Sequence, residues 1–131
     1  MELQEIIQQY RGATLPQLIE KQIKTMSESL LDKAIQGTYE NLPAEFRQTA
    51  DTFTFSYIKN WFGPHIVNAD LSDVFSQAIQ DINTLATQTG VELNNSQLFD
   101  VFNLAVMRLS FFAHSKPELR KMLGIKKGWF S

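Results

Sequence analysis

Five of the six glycines, Gly12, Gly37, Gly63, Gly90 and Gly124, each close a run of apolar residues repeating at helical spacing. Glycine just past a helix end accepts the left-handed backbone that lets the last free carbonyls find donors, so a chain punctuated this way is built from helices. Start signals follow four of these stops, at Thr14-Leu15-Pro16-Gln17, Asn41-Leu42-Pro43-Ala44, Asp70-Leu71-Ser72-Asp73 and Ser115-Lys116-Pro117-Glu118. Each opens with a side chain able to accept from an unpaired backbone N–H, and three carry proline in the first turn, where its missing donor does no harm. Pairing starts with stops predicts six helices, at about 2 to 11, 15 to 36, 42 to 62, 71 to 89, 96 to 114 and 116 to 123. No segment alternates with period two for long enough to suggest a strand, and the expected class is all-α, a single-domain helical bundle.

A chain of 131 residues with 44% apolar side chains, ten of them Phe, has enough to close one core without staples. The absence of cysteine removes disulfides, thiolate zinc sites, iron–sulfur clusters and a cysteine nucleophile together. The two histidines, His65 and His114, have no partner at metal-ligand spacing, so no metal and no cofactor is expected. The division expected is a bundle over residues 1–124 and a basic, aromatic tail over 125–131. The acidic, polar start Met1 to Glu5 does not read as a secretory signal. The most apolar stretch, Leu98 to Ala113, is broken by Asp100, Asn103 and Arg108 and falls short of the roughly 20 residues of a membrane span. A cytoplasmic protein is the expectation.

Helix 15–36 carries one seam, Ile19, Ile23, Met26 and Leu30, and helix 71–89 another, Leu71, Val74, Phe75, Ala78, Ile82 and Leu85. Helix 96–114 differs, because its apolar residues cover most of its circumference. A helix apolar nearly all round is surrounded by others, and this one is expected at the centre of the bundle.

Helix 42–62 has two apolar sides. Phe46, Ala50, Phe53, Tyr57 and Trp61 make a core stripe, while Phe55, Ile58 and Phe62 make a second stripe on the other side. The second is either sandwiched inside the bundle or covered by another chain, since large aromatics serve both kinds of burial. The same faces could also wall a ligand pocket.

Helix 96–114 bears one polar stripe, Asp100, Asn103, Met107, Ser110 and His114. It reads either as the lining of a ligand cleft or as the solvated edge of the central helix. Asp100 and His114 stand about 21 Å apart along the helix, too far to act as one acid–base pair. His114 also suits the carboxyl end of its helix, where a protonated imidazole meets the dipole, and His65 reads as a turn residue. A helix-turn-helix around Leu85 to Leu93 would present Gln97 to Phe102 to DNA, a face apolar and acidic with its first basic residue at Arg108, so nucleic-acid binding there is not expected.

Net charge is −2, but the distribution is split: residues 1–115 hold 7 Lys+Arg against 13 Asp+Glu, and residues 116–131 hold 5 against 1. The tail residues Lys126, Lys127, Trp129 and Phe130 could fold back on the bundle, be captured by a partner, or bind anionic membrane or RNA weakly. An acidic body with a basic end favours self-association over nucleic-acid binding. The residues point first to a non-enzymatic interaction protein, regulatory or adaptor in kind, that forms a homodimer or meets another protein through Phe55, Ile58 and Phe62. The alternative is a small-molecule sensor or enzyme with an aromatic pocket between helices 42–62 and 96–114 and the Asp100, Asn103, Ser110, His114 stripe at its mouth. Weak nucleic-acid or membrane-surface binding by the tail comes third.

Overall fold

Side-chain oxygens start four of the described helices, and left-handed glycines follow three. The structure, a computed structural model, describes residues 2–60 and 64–124, with side chains 64 and 65 outside that set. These residues form α1 (Leu3–Tyr10), α2 (Leu15–Thr25), α3 (Glu28–Asn41), α4 (Ala44–Asn60), α5 (Pro64–Val67), α6 (Leu71–Thr89), α7 (Asn95–Ser115) and α8 (Pro117–Met122), with no strand among them. The all-α class stands. Thr14 and Gln17 close a reciprocal capping box at the start of α2, and Asn94 and Gln97 do the same for α7. At the far end of α7, Arg120 reaches back from α8 to donate to the carbonyls of Ala113 and His114, so a guanidinium and not His114 covers this helix terminus.

The expected helix 15–36 is two helices. Met26 and Ser27 take extended backbone, and the Ser27 hydroxyl accepts from Leu30 N at 3.2 Å to start α3. Gly37 is therefore no stop but an interior residue of α3, which runs on to Asn41. The two extended residues reset the helical phase: the seam passes from Ile19 and Ile23 to Leu31 and Ile35, while Leu30 is left 52% exposed. The turn after residue 63 holds the short α5, a helix not foreseen in the sequence.

The central helix is α7, which packs against α2, α3, α4, α6 and α8 and buries Leu98, Val101, Phe102, Leu104, Ala105, Val106 and Leu109. Its contact with α6 is aromatic. The Phe75 ring lies 4.9 Å from Phe102 at 79° and 5.4 Å from Tyr10 at 82°, both edge-to-face. Burial pushes the Tyr10 phenol up to about 12, so it stays neutral.

One carboxylate ties the first turn of the chain to α6. Asp70 caps α6 by accepting from Ser72 N and Ser72 Oγ at 2.9 and 2.6 Å, and its other oxygen accepts from Gly12 N at 2.8 Å. Gly12 can offer that N–H because it turns at φ +83°, and beside it Leu71 N donates to Ala13 O at 2.8 Å. The Ser72 hydroxyl, then the Gly12 and Ser72 amides, hold the Asp70 carboxyl below its ordinary 3.8. A depressed carboxyl contributes stability above its unfolded value and loses it as pH falls through the folded one. Asp70→Ala is accordingly expected to lower the melting temperature at pH 7, with the gap to wild type narrowing below about pH 4, as followed by circular dichroism.

Candidate functional site

The polar stripe of α7 faces α2, and neither a cleft nor solvent lies over most of it. Ser110 is fully buried and Met107 nearly so. Gln22, on the inner side of α2, spans the seam: its amide nitrogen donates to Asn103 Oδ1 at 3.4 Å, and its amide oxygen accepts from Ser110 Oγ at 2.8 Å. One turn further, His114 Nε2 lies 2.9 Å from the carbonyl oxygen of Met26, the residue that ends α2. A carbonyl only accepts, so this ring nitrogen carries a proton. Asn103, Ser110 and His114 thus hold α2 in register on α7. This is a structural seam, in place of the cleft lining or solvated edge read from the sequence.

Asp100, at the start of the stripe, is half-buried, and desolvation raises its carboxyl above the ordinary 3.8. A raised carboxyl favours the folded state while protonated and costs stability as pH rises through its folded value. Asp100→Asn is expected to raise the melting temperature at pH 7, with a gain that shrinks toward pH 3; an unchanged or lower value at pH 7 would contradict the desolvation.

The outer side of α4 is different. Phe46, Ala50 and Phe53 turn inward and are buried, but Phe55 is 60% exposed, so its stripe is not sandwiched core at this position. Ile58 is half-buried against the core, and Phe62, like Trp61, lies outside the described residues. Between the stripes Thr54 is fully buried, its hydroxyl donating to Ala50 O at 2.8 Å.

Beside Phe55 the charges are held in place. Arg108 of α7 sets Nη2 at 2.8 Å from Asp51 Oδ1, and Tyr39 of α3 donates its phenol to Asp51 Oδ2 at 3.1 Å. The Arg108 contact is close but poorly aligned, an ion pair more than a hydrogen bond. The guanidinium carbon lies 5.7 Å from the Tyr39 ring centre and 5.9 Å from that of Phe55, placing it between the two aromatics. Arg47 donates to Glu40 O at 2.7 Å, and its guanidinium carbon lies 5.9 Å from the Tyr39 ring centre. One helical turn beyond Arg108, Phe112 is 37% exposed with the Lys116 ammonium 5.3 Å from its ring. The result is an exposed aromatic set among cations that are already paired or stacked. The sequence showed Phe55 and Ile58; Arg108, Asp51 and Tyr39 come from three helices and carry no spacing signal.

Two shallow cavities of about 520 and 340 Å³ lie between α4 and α6. They share Ser56, Tyr57 and Asp81, because the Tyr57 phenol donates to Asp81 across the crevice and divides it. Gln77 donates to the second Asp81 oxygen at 3.2 Å. Burial first, then the neighbouring carboxylate, raises the Tyr57 phenol well above its usual range, so it serves as a donor and not as a base.

Among the described residues, no three His, Asp or Glu side chains converge as a metal site, and no helix is long and apolar enough to cross a membrane. His65 falls in α5 with its side chain outside the described residues, and the tail residues Lys126, Lys127, Trp129 and Phe130 lie outside the described residues altogether. No family model, curated protein or solved structure matches the chain.

Proposed function

We propose that the protein is a non-enzymatic interaction protein, regulatory or adaptor in kind, that pairs with a second copy of itself through the outer face of α4. The observation that supports this reading is the 60% exposure of Phe55 beside a guanidinium already fixed by Asp51 and Tyr39. A ring exposed to that extent offers about 120 Å² of apolar surface, worth about 3 kcal/mol when covered. Arg108 and Asp51 neutralise each other beside Phe55, so a two-fold pairing centred on that ring does not set this guanidinium against its own copy as a bare charge. Rings whose neighbours are held in advance lose little side-chain entropy on docking.

Sedimentation equilibrium across about 1 to 200 μM tests it over the usual range of weak to moderate self-association. The expected result is a mass rising toward twice the 15.0 kDa of the chain. A mass fixed at 15.0 kDa throughout overturns the pairing. In that case the paired cavities around Tyr57 and Asp81 favour a second reading, a small-molecule sensor, which a ligand-dependent rise in melting temperature in a metabolite screen would support.

A further inference from the structure

The larger cavity between α4 and α6, about 520 Å³, has the size of a small-molecule site, which runs from about 300 to 1,000 Å³. Its charge is of one sign. Asp73 and Asp81 line it with no Lys, Arg or His among the described residues, and neither carboxylate has a salt-bridge partner in that set. Ile66, Ala69 and Val74 give the same space an apolar lining. Asp73 and Asp81 stand about two turns apart on α6, or about 12 Å along its axis.

The two carboxylates are held differently. Asp73 is exposed in the first turn of α6. Asp81 accepts from the Tyr57 phenol on one oxygen and from Gln77 at 3.2 Å on the other, both neutral donors that leave its charge in place. Gln77 uses its nitrogen there, so its amide oxygen is left as an acceptor. A wall of carboxylates and amide oxygen beside apolar side chains suits a ligand that is cationic at its ends and apolar between them. A bare metal ion would leave the apolar lining uncovered, and no three His, Asp or Glu side chains converge among the described residues. An extended chain of about eight carbons sets its end groups about as far apart as the two carboxylates, and aliphatic amines are charged at pH 7.

We infer that this cavity binds a linear aliphatic diamine, with one ammonium group at Asp73, the other at Asp81 and the Gln77 amide oxygen, and the methylenes over Ile66 and Val74. Tyr57 shares Asp81 with the second ammonium, so the phenol that divides the two cavities also weakens the site. The inference gives a ligand class to the cavities behind the small-molecule reading. It does not depend on pairing through Phe55, which meets Arg108 of α7 and does not line the cavity.

Backbone amide NMR spectra of the full chain, titrated with diaminooctane carrying an amine at each end, test it, with octanediol as the uncharged chain of the same length. The expected result is saturable shifts at Tyr57, Gln77 and Asp81, while Arg108 and Phe112 stay unmoved, so that any change in pairing is read separately. Asp81→Asn is expected to weaken binding at least about tenfold and Asp73→Asn about threefold, as befits a half-buried and an exposed carboxylate. Tyr57→Phe, which frees an Asp81 oxygen, is expected to tighten binding about threefold. Asp73→Asn keeps the test sound if the Tyr57 variant loses its fold, because residue 73 is exposed. Octanediol binding as tightly as the diamine overturns the proposal, as does equal affinity in both Asn variants and the wild type. Shifts spread without saturation over the acidic surface also overturn it, since they mark the diamine as a counterion only.

Discussion

Phe102→Ala is expected to cost about 3–5 kcal/mol, enough to unfold much of the population well below the wild-type melting temperature. Phe102 is fully buried on the central helix, meets Phe75 edge-to-face and lies 6.3 Å from the Tyr10 ring at a tilt of 46°, so its removal takes away the contact that joins α1, α6 and α7. Its neighbours collapse only partly into the space, because Phe75 and Tyr10 sit on α6 and α1, which pack on each other. Urea unfolding followed at 222 nm measures the loss. Phe102→Leu, which keeps most of the volume, is expected to lose less than half as much. A cost for Phe102→Ala under about 1 kcal/mol would mean that α7 is not the centre of the packing.

Phe55→Asp is expected to raise the self-dissociation constant at least about 1,000-fold while leaving far-UV helicity intact. The substitution acts twice in a two-fold pair. It removes two rings from the contact, and it puts two charged carboxylates where two apolar rings would be covered. Folding is spared because the ring is 60% exposed and inward packing on α4 belongs to Phe46, Ala50 and Phe53. Gln80→Asp on the exposed back of α6 adds the same charge away from the face and is expected to leave the mass distribution unchanged. If Phe55→Asp sediments like the wild type while remaining helical, the face is not the interface.

The fold class and the central helix were legible because both rest on local rules. Helical periodicity, capping boxes and left-handed glycines at 12, 90 and 124 act within a turn or two of the residues that cause them. The break at Met26–Ser27 was obscured by Gly37, which looked like a stop but lies inside α3. A serine followed by Glu28 was the competing signal, a hydroxyl cap with an acidic first turn. Gln22 was similarly legible in retrospect, as a polar residue between Ile19 and Ile23 on a buried side of α2, but its partners Asn103 and Ser110 lie more than eighty residues away. The candidate face was legible in part. Two stripes on α4 follow from spacing alone, whereas the Arg108–Asp51–Tyr39 group depends on how α3, α4 and α7 meet, which no periodicity encodes.

An isotope-filtered nuclear Overhauser experiment on an equal mixture of labelled and unlabelled chains bears most directly on the α4 face. The result expected is magnetisation transfer from the Phe55 ring of one copy to side chains of the same face, Phe55, Ile58 or Arg108, in the other. Transfer between copies confined to other surfaces, or none at concentrations where the mass exceeds that of one chain, would contradict the account.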